Sequence, residues 1–438
     1  MNSKKSYIRK DANFSIYGLG STGKSVINAL QKFKIKKFQY WDDSKKKRLS
    51  IRIKNKKNTK KNFYDNLDKS DFIVVSPGIN INNSKFKKKL QKNKKKIITD
   101  IDLLYLLNKN LKTIVITGTN GKSTVCKIIE HVLNKNKINA VAGGNIGKPV
   151  LNLNYNKNSY LIIEASSFQL AYSKFVRPNF AIILNVVNDH IDWHGNYRNY
   201  LNSKFKIFVN QGSNDKAMLE NKSLIKKFKN ENFKGKLKLA NIKKYFKIKE
   251  KIKNDYLKSK VSDQNMSFVF ELSRLLKIKD SSLIKSLNSY KGLPHRQEIF
   301  FRKKNLIFIN DSKATSFAAT KFALSNKRNV LWIVGGMPKI GDKFKLGSIK
   351  KNILKAYIVG NSINFFQKQL KGKIKIQTCK KIDHAIVSIF RDLKKINDRK
   401  QITILLSPAS ASYDQYKNFE ERGSQFKKKI KLYAKKYT

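Results

Sequence analysis

Thr117-Gly-Thr-Asn-Gly-Lys-Ser-Thr124 decides how this chain is read. The run before it, Thr113-Ile-Val-Ile116, is apolar and β-branched and predicts a buried strand. The run after it, Val125-Cys-Lys-Ile-Ile-Glu-His-Val-Leu133, has the apolar spacing of a helix. Strand, glycine-rich turn, Lys-Ser and helix are laid out as a phosphate cradle. Glycines let main-chain N–H groups approach phosphate oxygens, and the helix N-terminus adds partial positive charge. Lys122 would reach the β- and γ-phosphates, and the Ser123 hydroxyl can ligate Mg²⁺. Gly118, Thr119, Asn120, Gly121, Lys122, Ser123 and Thr124 are therefore candidate ATP-binding residues. The strict pattern G-x-x-x-x-G-K-[ST] fails, because its first glycine would fall on Ile116. A chance Gly-Lys-Ser turn in a lysine-rich chain is the plain alternative. The order of strand, loop and helix favours a nucleoside-triphosphate site.

At 438 residues the chain is long enough for two to four domains. A hydrophobic fraction of 40% supplies packed cores. The net charge of +66 suggests nucleic acid or an anionic membrane when taken alone. The lysines, however, are spread from end to end. Clusters such as Lys45 to Arg48, Lys54 to Lys61 and Lys87 to Lys96 sit between apolar runs, where solvated faces belong. The surplus reads as a compositional bias of the surface, with one consequence: it steers anionic substrates. Cys126 and Cys379 lie too far apart for a disulfide framework or a zinc spacing. The N-terminal stretch has no apolar signal core, and no run is long enough to span a membrane. A cytoplasmic protein without a membrane anchor is expected.

Phe14-Ser-Ile-Tyr17 leads into Gly18-Leu-Gly20-Ser21-Thr22-Gly23, a full G-x-G-x-x-G. A helical pattern follows, and then a second strand, Phe38 to Trp41, ending in Asp42-Asp43. By spacing this is a dinucleotide-type unit with an acid on a ribose. The plain alternative is a glycine turn that closes a strand onto a helix with no ligand. Asp71 to Val75 predicts a further strand, ending in Ser76-Pro77-Gly78 at a carboxyl edge where ligands bind.

After the phosphate loop, Tyr160 to Ile163 predicts a buried strand ending in Glu164, a carboxylate suited to Mg²⁺ or to a helix cap. Ala181 to Val187 predicts another, followed by Asp189, His190, Asp192 and His194, which are possible metal ligands in one short turn. Strands predicted at Leu306–Ile309, 330–334, 356–359, 374–377 and 402–406 alternate with helical patterns. That alternation means a mostly parallel sheet covered on both faces. Polar residues gather after these strands, at Asn310-Asp311-Ser-Lys313-Ala-Thr315, Gly335-Gly-Met-Pro-Lys339 and Ser407 to Asp414. Each could instead be no more than an N-cap.

The loop T-G-T-N-G-K-S-T resembles that of the Mur ligase and folylpolyglutamate synthetase superfamily, in which ATP drives amide-bond formation. The blocks GGNIG, E-x-S-S-F-Q, N-V-x-x-D-H, GLPHR-x-E, NDSKAT, GG-x-x-K and SPASASYDQYKNFEERG follow in order and narrow the resemblance to the D-glutamate-adding branch of the Mur ligases. The resemblance implies three α/β domains: a Rossmann-like UDP-substrate domain over 1–100, a central ATP-binding domain over 101–298 and a Rossmann-like amino-acid domain over 299–438. It implies ATP and Mg²⁺ as cofactors, with UDP-N-acetylmuramoyl-L-alanine and D-glutamate as substrates. It also implies a monomer needing no nucleic acid. By the same resemblance Gly20, Ser21, Thr22, Asp42, Asp43, Ser76, Pro77 and Gly78 grip the uridine nucleotide, and Asn145, Ser166 and Gln169 face the muramoyl part. Lys122, His190 and Lys204 are catalytic, and Ser123, Glu164, His190 and Lys204 hold the metal. Lys204 matches a lysine carbamylated by CO₂. Asn265, Arg296, Asp311 and Lys313 lie near ATP, while Lys313, Thr315, Lys339, Ser412 and Phe419 surround D-glutamate.

One departure stands out. The family pattern H-N-x-x-N appears as Gln264-Asn265-Met-Ser-Phe268. Phe268 replaces the second Asn, and stacking on the nucleotide is its expected substitute role. Three rivals remain at this level. A folylpolyglutamate synthetase-like ligase would share the loop but not the UDP-type first domain. An NAD-dependent enzyme would leave the phosphate loop idle. A nucleic-acid binder would explain the charge and none of the motifs.

Overall fold

The computed structural model describes residues 8–51, 59–108, 110–254, 256–257, 260–339, 341–396 and 400–436; the lysines at 54 and 56–57 lie outside them. Among the described residues sixteen strands form three sheets. The first contains β1 (Phe14–Tyr17), β2 (Phe38–Trp41), β3 (Phe72–Val75) and β4 (Ile97–Ile98), all parallel in the order β2-β1-β3-β4. The second contains β5 (Lys112–Thr117), β6 (Ala140–Gly144), β7 (Tyr160–Glu164), β8 (Phe180–Ile183), β9 (Lys216–Leu219) and β10 (Lys236–Leu239). It is parallel throughout, in the order β10-β9-β8-β5-β7-β6. The third contains β11 (Glu298–Lys303), β12 (Leu306–Asn310), β13 (Val330–Gly335), β14 (Ile353–Val359), β15 (Ile376–Lys380) and β16 (Ile402–Leu406). Its order is β11-β12-β16-β13-β14-β15, with only β11 antiparallel to its neighbour. The chain divides after Tyr290 into two compact units, the first with two sheets and the second with one.

The apolar strands are buried on both faces, as a parallel sheet covered by helices requires. In β5, Ile114 and Ile116 enter the core that holds Val125, Ile129 and Val132 of helix Lys122–Lys135, while Val115 enters the opposite core with Leu170 and Phe208. In the third sheet Trp332 and Val334 face one core, and Leu331 and Ile333 face the other. Period-two alternation thus places every second side chain on a different helical layer.

Three departures from the sequence reading have physical causes. The strand expected over Ala181–Val187 ends at Ile183, because the chain turns off to hydrogen-bond the phosphate loop. Strands β9 (KAML) and β10 (KLKL) were not apparent, since lysine interrupts their apolar pattern. Phe268 is fully buried in the core against helix Lys122–Lys135, so the expected stacking on nucleotide is corrected: its ring fills core volume. Among the described residues no helix is long and apolar enough to cross a membrane.

Candidate active site

Strand β5 pairs with β7 on one side and β8 on the other, whereas β6, the next strand in sequence, lies outside β7. The chain therefore reverses direction about β5. The loop Thr117–Thr124 leaves the carboxyl end of this switch point, where α/β sheets bind ligands. Gly121 has φ +85°, a conformation that favours glycine, and a Cβ there would lie 2.5 Å from Asn265 Oδ1 and force that side chain to shift. This contact brings Asn265, on helix Lys260–Leu275, against the loop. Lys122 Nζ donates to the carbonyls of Gly118 (2.8 Å) and Thr119 (2.9 Å). The Thr119 hydroxyl lies 2.8 Å from the Tyr200 hydroxyl. Asn185, the first residue of the N-V-x-x-D-H block and not among the expected site residues, takes main-chain bonds from this loop: its Oδ1 accepts from Asn120 N–H at 2.9 Å.

Lys204, on helix Tyr197–Phe205, is buried, with Nζ 3.0 Å from the Gly118 carbonyl and 4.5 Å from the Tyr200 ring centre. Burial, and then the charge of Lys122, push its amine well below the ordinary lysine pKa. Glu164, at the end of β7, is buried. Its Oε1 accepts from Asn145 Nδ2 at 2.8 Å, while its Oε2 has no hydrogen-bond partner among the described residues. Thr117 Oγ1, at the foot of the loop, is a second buried atom without a partner among them. An unpaired buried carboxylate oxygen is costly unless a cation meets it. The donor set of Glu164, Ser123 and His190 is all oxygen and imidazole and suits Mg²⁺. His190 holds a left-handed backbone (φ 54°), with Nε2 3.4 Å from Asp189 Oδ2 and its ring 4.7 Å from that of Phe168. His194 goes elsewhere: Nε2 lies 3.0 Å from Ser167 Oγ and the ring stacks on Phe168. Burial brings its pKa down to about 4. Among the described residues no three His, Cys, Asp or Glu side chains converge as a metal cage.

The first sheet has its own switch point, at β1 between β2 and β3. A cavity of 480 Å³ opens there, lined by Gly20, Ser21, Thr22, Asp42, Asp43, Ser76, Pro77 and Gly78, with Asn145 and Gln169 also in its lining. Asp42 accepts from Leu19 N–H (2.7 Å) and Ser44 N–H (2.9 Å), so its carboxylate also shapes the turn. Asp43 accepts from the Tyr17 hydroxyl at 2.9 Å. Ser166 caps helix Ser167–Tyr172 in a reciprocal pair with Gln169, whose Nε2 donates to Asp100 Oδ1 at 3.1 Å.

In the second unit β16 lies between β12 and β13, so three loops meet at one edge. Asp311 is buried, accepting from Ser407 Oγ (2.8 Å) and Gln297 N–H (3.1 Å), and burial raises its pKa to about 7. Lys313 Nζ sits 3.8 Å over the Phe419 ring, a cation–π contact. Met337 and Ala411 exchange main-chain bonds of 2.9 Å, which seats the loop bearing Lys339 beside the one bearing Ser412. Ser412 is buried, Thr315 half-buried and Lys339 exposed. Arg422, unassigned by the sequence reading, is buried and clamps two of these loops, donating to the carbonyls of Ser312 (2.8 Å) and Ser410 (3.0 Å).

Over 97% of its length the chain is 32% identical to the UDP-N-acetylmuramoylalanine–D-glutamate ligase of Rickettsia bellii (strain RML369-C), covering 98% of that protein. The chain belongs to the Mur ligase family. Residues 116–283 match the Mur ligase middle domain. The ligase of the same name from Pseudothermotoga lettingae is 32% identical over 84% of the chain and 86% of its own length. Among solved structures, the UDP-N-acetylmuramate-alanine ligase MurC of Thermotoga maritima aligns over 96% of this chain and 99% of its own, with TM-score 0.58 and 18% identity. MurF of Acinetobacter baumannii aligns over 86% and 90%, with TM-score 0.58 and 14% identity. As a Mur ligase the protein is an ATP-dependent, amide-bond-forming enzyme. Its three-sheet α/β fold is that of these structures. The NAD-dependent and nucleic-acid-binding readings are left without support.

Proposed function

We propose that the chain joins D-glutamate to UDP-N-acetylmuramoyl-L-alanine with ATP, a step in building peptidoglycan precursors. The match to the Rickettsia bellii ligase, nearly end to end on both chains, carries this reading. The chemical difficulty is that a carboxylate has no leaving group for an amine to displace. An oxygen of the alanyl carboxylate attacks the γ-phosphorus of ATP, releasing ADP and forming an acyl phosphate. The neutral amine of D-glutamate adds to the acyl carbon, phosphate departs, the nitrogen loses a proton and the amide remains.

Phosphoryl transfer needs positioning and charge neutralisation more than covalent help. The N–H groups of Gly118 to Thr124 cradle the phosphates, and Lys122 turns from the loop carbonyls onto the β- and γ-oxygens. Ser123, Glu164 and His190 would hold Mg²⁺, which when bound neutralises phosphate charge. Lys204 completes that set as a carbamate. Burial lowers the pKa of its amine, which favours the neutral form that attacks CO₂ with loss of one proton. Asn265, Arg296, Asp311 and Lys313 serve ATP. Gly20 to Thr22, Asp42, Asp43 and Ser76 to Gly78 bind the uridine nucleotide, with Asn145, Ser166 and Gln169 toward the muramoyl part. D-Glutamate brings two carboxylates, for which Lys313, Lys339 and the Ser412 hydroxyl are apt partners, with Thr315 and Phe419 beside them. The division into 1–100, 101–298 and 299–438 assigns one substrate to each part. One chain supplies every role, so a monomer suffices, and the reaction belongs in the cytoplasm with its nucleotide substrates.

The test is phosphate release from ATP with Mg²⁺ and UDP-N-acetylmuramoyl-L-alanine, with D- or L-glutamate added in parallel and the product weighed. Turnover with D-glutamate alone is expected. Turnover with neither amino acid, or with L-glutamate, refutes the assignment.

A further inference from the structure

Asn185 lies one residue beyond Leu184, whose N–H donates to the Thr117 carbonyl at 3.0 Å. From there the chain continues under the phosphate loop as a false strand. The Asn185 carbonyl accepts from Thr119 N–H at 2.9 Å. Its side-chain Oδ1 accepts from Asn120 N–H at 2.9 Å, and its Nδ2 donates to the Asn120 carbonyl at 3.1 Å. Both main-chain groups of Asn120 are thus held by one side-chain amide, as a neighbouring strand would hold them. The approach is close: a Cβ on Gly118 would lie 3.3 Å from both the N and the O of Asn185. Farther along, Val187 N–H donates to Thr119 Oγ1 at 3.1 Å.

This pairing has a directional consequence. With Asn120 N–H and C=O both engaged by Asn185, the two peptide planes flanking Asn120 cannot rotate. The next residue is Gly121, in its left-handed conformation, from which helix Lys122–Lys135 begins. Fixing Asn120 therefore fixes the direction in which the N–H groups of Gly121, Lys122 and Ser123 point. We infer that Asn185 is a positioning residue for nucleotide: its amide sets the phosphate-binding loop in its working shape without touching the reacting atoms. Only an amide presents a donor and an acceptor side by side at this reach. Ser can restore one of the two bonds, Ala neither. Asp keeps the acceptor but turns a carboxylate oxygen toward the Asn120 carbonyl and the nucleotide phosphates. This inference rests on the reading that the loop holds ATP phosphates.

The experiment titrates ADP with Mg²⁺, and separately UDP, into the full-length wild type and the variants N185S, N185A and N185D, with melting temperature measured on each. ADP affinity is expected to fall in the order wild type, Ser, Ala, Asp, with Ala about tenfold weaker than wild type, equal to about 1.4 kcal/mol. The additional loss in N185D should shrink as salt is raised. UDP affinity should stay within about twofold, which a merely structural role would not preserve. ADP affinity unchanged in both N185A and N185D overturns the inference. So does a parallel fall of UDP affinity and melting temperature in N185S, the mildest variant. Wild type that binds no ADP overturns the nucleotide reading itself, an outcome distinct from wild type and variants binding alike.

Discussion

Phe268 offers a direct test of how the structure departs from the sequence expectation. Its ring is fully buried with Val125, Ile129, Val132 and Met266, between helices Lys122–Lys135 and Lys260–Leu275. Truncation to Ala removes the ring and leaves a cavity, costing about 3–5 kcal/mol. At roughly 2–4 °C per kcal/mol for a domain of this size, the melting temperature should fall on the order of 10 °C. Phe268→Leu keeps most of the volume and should cost less than about 1.5 kcal/mol. Phe268→Asn would bury an amide as well as open the cavity, adding about 1–3 kcal/mol unless it finds partners. The assay is thermal unfolding beside KM for ATP at a temperature where each variant is folded. The expected signature is a graded loss of stability, Leu, Ala, then Asn, with KM for ATP changing less than about threefold in the Leu variant. A large rise in that KM for Phe268→Leu with the melting temperature unmoved would refute core burial and restore a stacking role.

Other predictions follow from single contacts. A Cβ on Gly23 would meet the Gly18 carbonyl oxygen at 1.8 Å, so Gly23→Ala must displace helix Ser21–Lys32 from β1; UDP binding should be lost, and retained affinity would refute that packing. Asp311 has a folded pKa of about 7 against an ordinary 3.8, so the native state keeps a proton that the unfolded chain has released. Its contribution is present below about pH 4 and is lost as pH rises toward 7, at up to about 1.4 kcal/mol per pH unit. Asp311→Asn should therefore gain stability relative to wild type from pH 5 to 7, and a constant difference in melting temperature would contradict the burial. Lys204→Met removes the buried amine while nearly keeping its shape: ligase turnover and the ¹³C signal taken up from labelled bicarbonate should both vanish without loss of melting temperature. A bicarbonate-derived signal persisting in the Met variant would place the carbamate elsewhere.

Much of this molecule was legible in one dimension. Strands β1, β2 and β16 fall where short apolar runs bounded by polar residues place them. The phosphate loop, between a β-branched run and an amphipathic helix, is local chemistry: glycine, lysine and hydroxyl at fixed spacing. Lysine-interrupted strands β9 and β10 were not legible, because their place comes from pairing with β8 rather than from their own pattern. Nor was the early end of β8, since Leu184 to Val187 carry the composition of a strand and leave the sheet only because the loop beside them offers hydrogen bonds.

The sequence by itself determined the element types, the phosphate loop and the polar residues that gather at strand ends, because each depends on neighbours a few residues away. Tertiary structure alone decided which of those residues meet. Asn185 reaches Asn120 across 65 positions, and Arg422 joins Ser312 to Ser410 across 110 and 12. Among the described residues Glu164 is left with one oxygen unpaired. Phe268, for which the sequence suggested stacking on nucleotide, turns into the core. These outcomes follow from burial and from the matching of donors to acceptors, which exist only once distant segments have packed.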